Sequence, residues 1–297
     1  MAAPVTDDSE RRLRALAALR GLAVGDALGA SVTRAAVPGA VRRGELPGGL
    51  WRWTDDTQLA GCVLRVLSDH GRIEQDALAS EFALRYDPCR DYGRSAAELL
   101  ERFGAGGRWN VEAPALFAGA GSWGSGAAMR VAPLGAWFAG RPERVAAEAE
   151  RSAVVTHTHP EAVAGAVAVA AATAFAAAGE HRPEVLLMAV AEQLPRTAMR
   201  GAVRRAADLL DFADVATVAA VLGSGRRTTA HDTVPFALWA AARHLDDFRA
   251  AVWSCLRAGG DIDTTAAMAG GIVAAAGLSA PPAEWAARVE PLPTWTG

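Results

Sequence analysis

Alanine-rich segments separated by glycine and proline run through the whole chain, and this pattern is the strongest constraint on its fold. Alanine has the highest intrinsic helix propensity, and nowhere do apolar and polar residues alternate for long enough to build a sheet. No polar linker marks a boundary between domains. The 297 residues are therefore predicted to form one all-α domain, spanning residues 1–297 with its core at about 10–280.

Glycine, proline and capping residues bound the expected helices. We predict helices at about 10–28, 56–70, 74–86, 94–103, 142–152, 161–178, 183–194, 197–211, 213–222, 234–243, 246–257 and 264–277. Residues 31–53 carry glycine, proline and charge, and are predicted to form a loop. The glycine-rich stretch after residue 103 is expected to hold a binding loop or a tight turn in its central part.

The first predicted helix has Gly21, Gly25 and Gly29 on one face. Each glycine inside a helix costs roughly 1 kcal/mol relative to alanine. A face that accepts three glycines is therefore expected to let another helix come very close. Asp26 would lie within this packed helix, where a buried carboxylate needs a partner.

Charge and residue type exclude several functions. The chain has 30 basic and 33 acidic residues, and its net charge of −3 gives no electrostatic case for binding nucleic acid. Every basic residue is an arginine, and the absence of lysine excludes Schiff-base chemistry and a Walker-type phosphate loop.

The cellular compartment is inferred from the cysteines and from two segments. Cys62, Cys89 and Cys255 have neither metal-ligand spacing nor the pattern of a disulfide framework, which favours a reducing cytosol. The N-terminal segment has acids and arginines where a signal peptide needs an apolar stretch. The apolar tract at 162–178 is slightly short for a membrane span and is expected to be a core helix. We expect a cytoplasmic monomer without a membrane partner.

Two pairs of acids stand where helices are predicted to begin. Asp55 and Asp56 lie in WTDDTQLA, and Asp261 and Asp263 lie in GGDIDTTAAMAGG. One interpretation is ordinary N-capping, with Thr54 or Asp55 as the first cap, Asp55 and Gln58 as a capping box, and Asp261 or Asp263 as the second cap. One acid suffices for a cap, however, and each helix start has two.

The other interpretation is that the two helix starts meet in space. Four converging carboxylates repel one another and either take up protons or bind cations. Mg²⁺ and Mn²⁺ prefer carboxylate, hydroxyl and water oxygens, so a two-metal site is a candidate. Hydroxyl ligands would come from Thr54 and from Thr264 or Thr265.

A phosphatase is a third possibility, because DIDTT fits the D-x-D-x-T loop of haloacid-dehalogenase-like enzymes with Asp261 as nucleophile. That loop should follow a buried strand, whereas residues 256–260 look like the end of a helix. The lysine partner that such enzymes use is also absent.

Five segments occur in this order along the chain: GLAVGDALGA, WTDDTQLA, GSWGSGAAMRVAPLG, THTHPEAVAGAVAVAAA and GGDIDTTAAMAGGIVAAAG. Together they resemble the ADP-ribosylglycohydrolase family, over residues of about 15–280. The resemblance implies an all-α, roughly orthogonal multi-helix bundle with a binuclear Mg²⁺ or Mn²⁺ centre. It also implies cleavage of the glycosidic bond at C1'' of an ADP-ribose attached to a protein side chain, a nucleobase or a small acceptor.

The resemblance assigns roles to individual residues. The family's metal ligands match Thr54, Asp55, Asp56, Asp261, Asp263 and Thr264, and a metal-site aspartate would act as general base. Its ADP-ribose-binding loop matches the segment from Gly121 through Ser122, Trp123, Gly124 and Ser125 to Gly126. Trp123 would stack on the ribose or adenine, His157 would lie near the ligand, and Asp91 would border the substrate side of the cleft.

The sequence departs from the family pattern at several substrate-facing positions. Thr33 stands where many members have a glutamate on a mobile loop, and the nearest acid is Glu45. Ser125 replaces a frequent asparagine, Tyr92 follows Asp91, and Ser95-Ala96 replaces a threonine pair. A non-catalytic member that binds ADP-ribose or serves a structural, crystallin-like role is the alternative, although the complete acid set argues against it.

Overall fold

The computed structural model describes residues 8–35 and 38–296, except for the side chains of residues 38, 40 and 42. The helices are α1 (Asp8–Ala35), α2 (Pro38–Arg43), α3 (Asp55–His70), α4 (Gln75–Arg85), α5 (Arg94–Gly104), α6 (Trp109–Ala115), α7 (Ala132–Trp137), α8 (Pro142–Val154), α9 (Pro160–Ala177), α10 (Pro183–Gln193), α11 (Ala198–Asp208), α12 (Val215–Leu222), α13 (Ala230–Arg243), α14 (Phe248–Ala258), α15 (Ile262–Ala276) and α16 (Ala283–Ala286). Within the described ranges, the only β pairings are two isolated bridges. The all-α prediction is confirmed.

The glycine face of α1 packs directly on α15, as predicted. A Cβ placed on Gly21 would lie 2.4 Å from the carbonyl oxygen of Gly270, and one on Gly25 would lie 2.1 Å from that of Ala266. Real side-chain atoms do not approach a backbone so closely, so only glycine fits at these positions. The two helices therefore touch backbone to backbone along the middle of the core.

The other central helices surround this pair. Helices α7, α9, α13 and α14 all pack against α15, and α7 also packs against α1. One continuous cluster of buried apolar side chains runs through them, from Ala15 near the start of α1 to Trp285 in α16. Because α1 and α15 are rich in small residues, the bundle is tight at its centre and larger side chains fill its periphery.

The segment predicted as a loop, residues 31–53, is partly helical. Helix α1 continues to Ala35, and α2 occupies Pro38–Arg43. The glycines and prolines on which the loop prediction rested lie mostly in the second half of the segment, where the chain is irregular. The prediction missed the helical continuation because α1 extends about two turns past the last core glycine.

Two helices, Asp8–Ala35 and Pro160–Ala177, have the length and apolar composition of a membrane span. Most residues in both apolar windows are buried inside the helix bundle. The tract predicted as a core helix therefore is one, since α9 packs against α7, α8 and α15.

Candidate active site

The N-terminal ends of α3 and α15 meet at one cavity. Thr264 at the start of α15 points its hydroxyl at Asp56 in the first turn of α3, with 3.5 Å between Oγ1 and Oδ2. A cavity of about 250 Å³ is lined by both acid pairs, that is, by Asp55, Asp56, Asp261 and Asp263. The two helix starts therefore meet in space, as the second interpretation of the acid pairs expected.

Helix α1 positions both halves. A Cβ on Gly29 would lie 2.6 Å from the Cα of Asp263, so the glycine lets the start of α15 rest on α1. Three residues earlier, the buried Asp26 accepts hydrogen bonds from the start of α3. One helix therefore fixes the distance between the two acid pairs.

Asp26 has the partners that its burial requires. Its carboxylate accepts from the backbone N–H of Thr54 at 2.9 Å and from the Thr54 hydroxyl at 2.8 Å. It also accepts from the backbone N–H of Thr57 at 3.1 Å and from the Thr57 hydroxyl at 2.5 Å. The sequence predicted that a buried Asp26 needs a hydrogen-bond partner. It did not predict that the partner is the first turn of α3, which carries Asp55 and Asp56.

Capping explains little of this arrangement. Thr54 is the N-cap of α3 and accepts from the backbone N–H of Asp56 at 3.4 Å. The predicted capping box of Asp55 and Gln58 does not form, because the N–H of Asp55 donates to the carbonyl of Arg90, and the Gln58 side chain accepts from the Tyr92 hydroxyl. Capping therefore leaves both carboxylates of α3 without a structural role.

The second helix start is similar. Asp261 is the N-cap residue of α15, but its side chain makes no capping hydrogen bond. Its backbone is held by Ser224, whose carbonyl accepts from the N–H of Asp261 at 2.9 Å. Thr265 donates its hydroxyl to the carbonyl of Asp261, so of the two candidate threonines only Thr264 faces the acids.

Burial and mutual repulsion raise the pKa values of four carboxyl groups here, those of Asp26, Asp55, Asp56 and Asp261. Burial, and then the charge of Asp263, raises the pKa of Asp261 to about 8. Burial raises the pKa of Asp26 to about 6, against the lowering effect of its threonine donors. Burial, followed by the charges of Asp26 and the other acids, raises the pKa values of Asp55 and Asp56 well above the ordinary range.

One buried oxygen of the cluster has no partner. Oδ1 of Asp56 is inaccessible to solvent and makes no hydrogen bond, whereas Oδ2 lies 3.1 Å from the Thr54 hydroxyl. That hydroxyl has a single proton and lies closer to Asp26, so it cannot serve both carboxylates at once. In the described ranges, no three His, Cys, Asp or Glu side chains stand together as a finished metal site.

The glycine-rich loop forms the opposite wall of the same cavity. Ser122, Gly124, Ser125 and Gly126 line it, together with His157. A Cβ on Gly126 would lie 2.8 Å from Cε1 of His157, and one on Gly124 would lie 3.2 Å from Nε2. The small residues of the loop therefore leave space for the imidazole ring that supports it.

His157 is neutral at physiological pH. Burial, and then the nearby charge of Arg130, lowers the pKa of the imidazole to about 3. Its Nδ1 lies 2.7 Å from the hydroxyl of Thr156. The residue supports the loop and has hydrogen-bonding capacity toward the cavity, but it is no cationic partner for an anion.

Two amides of the loop are already used within the protein. The N–H of Gly124 donates to Oγ of Ser122 at 3.3 Å, and the N–H of Ser125 donates to the carbonyl of Thr228 at 3.1 Å. A nest for phosphate oxygens must therefore draw on other amides of the loop.

Trp123 is not among the residues that line the cavity. Its indole stacks with the imidazoles of His159 and His231, with 4.8 Å and 4.7 Å between the ring centroids. Trp123 is 40% exposed, and its stacking on ribose or adenine stays a prediction.

Asp91 lies at the rim of the cavity. It has a positive φ of 60°, and its carboxylate pairs with the guanidinium of Arg34 at 2.5 Å. The next residue, Tyr92, donates its hydroxyl to Gln58 on α3. The pair therefore ties the rim to the end of α1 and to α3.

Some departures from the family pattern lie in the cavity wall, where Ser95 and Ala96 are lining residues, and others lie outside it. Thr33 lies on α1 and donates its hydroxyl to the carbonyl of Gly29, and Glu45 pairs with Arg43. Neither residue lines the cavity, whereas Ser125 does. The expectation of a loop position for Thr33 is wrong, because the helix continues through it.

Arg130 is a cavity residue that sequence reasoning missed. It is fully buried beside the ring of Phe82, and Nη2 donates to the carbonyl of Ser152. Its Nε and Nη1 have no partner, and burial lowers its pKa to about 9. The sequence does contain a sign of this buried arginine, because Arg130 is the one charged residue in the apolar segment GAAMRVAPLGAW.

The phosphatase interpretation is wrong. The residues before Asp261 belong to helix α14, which ends at Ala258, and no strand precedes the DIDTT segment.

Comparison with known proteins identifies the family. The ADP-ribosylglycohydrolase family model matches residues 7–296. The chain belongs to the ADP-ribosylglycohydrolase family. It is 26% identical over 254 residues to the ADP-ribosylhydrolase ARH3 of Xenopus tropicalis, covering 75% of this chain and 73% of that protein.

A solved structure gives the same assignment. The fold is similar to that of an ADP-ribosylglycohydrolase-related protein complex, with a TM-score of 0.65 and 29% identity. The match covers 95% of this chain and 94% of the other. Membership of the ADP-ribosylglycohydrolase family and the similarity to ARH3 support an ADP-ribose glycohydrolase activity.

Proposed function

We propose that this protein is a metal-dependent hydrolase that cleaves the glycosidic bond at C1'' of ADP-ribose attached to a protein side chain, a nucleobase or a small acceptor. The observation that carries the proposal is the single cavity in which two acid pairs face a glycine-rich loop. The acids suit cation binding, and the loop suits a diphosphate.

The donor set fits two divalent cations. Asp56 has a buried oxygen without a partner, and the four carboxylates repel one another. Bound cations would give the Asp56 oxygen a partner and would neutralise the repulsion among the carboxylates, and further burial would do neither. The ligands would be Thr54, Asp55, Asp56, Asp261, Asp263 and Thr264, an all-oxygen set of the kind that Mg²⁺ and Mn²⁺ prefer. When bound, the ions would supply Lewis-acid stabilisation and lower the pKa of a water.

The protein's own residues would position and activate the reactants. A carboxylate of the cluster acts as general base toward the attacking water, and the remaining negative charge stabilises the oxocarbenium-like transition state. Asp26 keeps the turn of Thr54 fixed through four hydrogen bonds, so that Asp55 and Asp56 keep their orientation. Arg130, unpartnered at two nitrogens, gives the cavity a cation for a phosphate or carboxylate oxygen.

The metal-free protein is expected to lose stability as pH rises from 6.5 to 8. Asp261 has a raised pKa of about 8, so the folded state holds a proton that the unfolded state has lost. The stabilisation that such a group provides is complete below its pKa in the unfolded state. It is lost as pH rises through the pKa that the group has in the folded state. Over this window the loss is about 2 kcal/mol for one carboxyl.

The window begins at pH 6.5 because His157 has the opposite effect on stability below that pH. Its pKa is lowered in the folded protein, so its titration makes stability rise with pH. The measurement is thermal melting in EDTA and in Mg²⁺ or Mn²⁺. Added cation should raise the melting temperature more at pH 8 than at pH 6.5, since it competes with protons for the same oxygens. A melting temperature in EDTA that stays constant or rises over this window contradicts the assignment.

Gly126→Ala is expected to weaken binding of ADP-ribose at least tenfold. The new Cβ would lie 2.8 Å from the His157 ring and force the ring or the loop to move. Gly93→Ala is the matched control, since Gly93 lines the same cavity with open space around its Cα. Calorimetric titration with ADP-ribose distinguishes the two variants. Equal affinities for both would show that the loop does not contact the ligand.

Hydrolysis assays test the proposed function directly. ADP-ribosylated arginine, ADP-ribosylated serine and an ADP-ribosylated nucleotide are incubated with the protein in Mg²⁺, in Mn²⁺ and in EDTA. Release of ADP-ribose from at least one substrate with metal, and its loss in EDTA, is the expected result. Binding of ADP-ribose without turnover of any substrate would support the non-catalytic alternative.

We further propose that the protein acts in the cytoplasm as a monomer. The three cysteines are free thiols, two of them buried, as a reducing compartment allows. Size-exclusion chromatography with light scattering, without and with ADP-ribose, tests the oligomeric state.

A further inference from the structure

A second cavity, of about 470 Å³, lies among α12, α13, α14 and α16. It shares none of its lining residues with the cavity that contains the acids. Its volume is within the range of small-molecule sites. Nothing in the proposed reaction uses it.

Three tryptophans form the apolar part of this cavity. Trp239 and Trp285 are fully buried, and Trp253 is half-buried with its ring 6.3 Å from that of Trp285. The indole nitrogen of Trp239 donates to the carbonyl of Leu209, but that of Trp285 is buried without a partner. The accessible ring is therefore that of Trp253, and an exposed aromatic face in a cavity wall is a surface on which a planar ligand can stack.

Three arginines also line the cavity. Arg249 pairs with Glu284, whereas neither Arg243 nor Arg257 forms an ion pair with a carboxylate in the described part of the chain. Among the described lining residues, the only acid is Asp247, whose carboxylate caps α14 by accepting from the N–H of Ala250. Arg243 and Arg257 therefore bring positive charge to this cavity that no ion pair with a described carboxylate neutralises.

We propose that this cavity is a second ligand site, which binds a planar heteroaromatic anion of the nucleoside monophosphate class. Trp253 would hold the ring, and Arg243 and Arg257 would bind the phosphate. An apolar ligand is disfavoured because it would bury unpaired guanidinium groups. The site is confined to one cavity and does not continue as a basic stripe, which disfavours a nucleic acid strand.

The test is calorimetric titration of the full chain with AMP, adenosine and inorganic phosphate. AMP is expected to bind at least tenfold more tightly than adenosine or phosphate. R243Q/R257Q should raise the Kd for AMP at least tenfold. R204Q/R205Q, which removes the same charge from exposed positions on α11, should change it less than twofold.

Two further variants keep the test decisive. R257Q alone changes an exposed side chain, so its folding is not in question, and it should raise the Kd for AMP at least threefold. Gly126→Ala obstructs the other cavity, so AMP that still binds in this variant, and no longer binds once R243Q/R257Q is added, reports on the second cavity. The proposal is overturned if AMP does not bind, or if Gly126→Ala rather than R243Q/R257Q removes its binding. It is also overturned if phosphate alone, or a phosphorylated peptide in place of AMP, accounts for the binding.

Discussion

Asp56→Asn is expected to lower kcat for ADP-ribose release by about 10³-fold, while raising the melting temperature of the protein in EDTA at pH 8. The rate is expected to fall because the variant removes one of the proposed cation ligands, and about 4 kcal/mol of transition-state stabilisation corresponds to this factor. The melting temperature rises because asparagine carries no charge, whereas the Asp56 carboxylate is buried among other acids.

The opposite signs of the two effects make this variant informative. A residue with a purely structural role would lose activity together with stability. Asp208→Asn is the matched control, because Asp208 is an exposed acid at the end of α11, and it should change neither quantity. Full activity in Asp56→Asn, or a lower melting temperature in EDTA, would contradict the role assigned to this carboxylate.

Gly25→Ala is expected to destabilise the protein by at least about 2 kcal/mol, despite the better helix propensity of alanine. The added Cβ would lie 2.1 Å from the carbonyl oxygen of Ala266 and 2.5 Å from its carbonyl carbon. These are backbone atoms, so no side-chain rotation can relieve the contact. Helices α1 and α15 would have to separate, and the melting temperature should fall by at least about 4 °C.

The separation should also affect the site, because α1 holds Asp26 while α15 carries Asp263. We therefore expect kcat to fall with stability in Gly25→Ala, in contrast to Asp56→Asn. Gly201→Ala is the control, since Gly201 lies in α11 with open space around its Cα, and alanine there should stabilise by up to about 1 kcal/mol. Equal melting temperatures for the two variants would show that the close helix contact is not required.

The sequence was sufficient for the parts of this fold that local patterns determine. Alanine-rich periodicity predicted the all-α class, and the spacing of Gly21, Gly25 and Gly29 predicted a close helix contact. It could not name α15 as the partner, because a glycine face has no sequence complement. The helical end of α1 was missed, since the glycines and prolines that follow it dominated the interpretation of residues 31–53.

The site shows the same division. Doubled acids at two helix starts exceeded what capping needs, and this excess pointed to one shared site before any geometry was known. Long-range contacts gave no such signal: the hydrogen bonds from Thr54 and Thr57 to Asp26 link positions 28 and 31 residues apart. The stacking of Trp123 with His159 and His231 could not be predicted from the sequence either, because it depends on how three separate segments pack.

The most direct test of the central claim is the anomalous scattering of crystals grown with Mn²⁺. The claim is that Thr54, Asp55 and Asp56 on one side and Asp261, Asp263 and Thr264 on the other form one cation site. We expect two anomalous peaks between these groups in the wild-type protein, and their loss in Asp261→Asn. Crystals that hold Mn²⁺ nowhere between the two acid pairs at saturating concentration would contradict it.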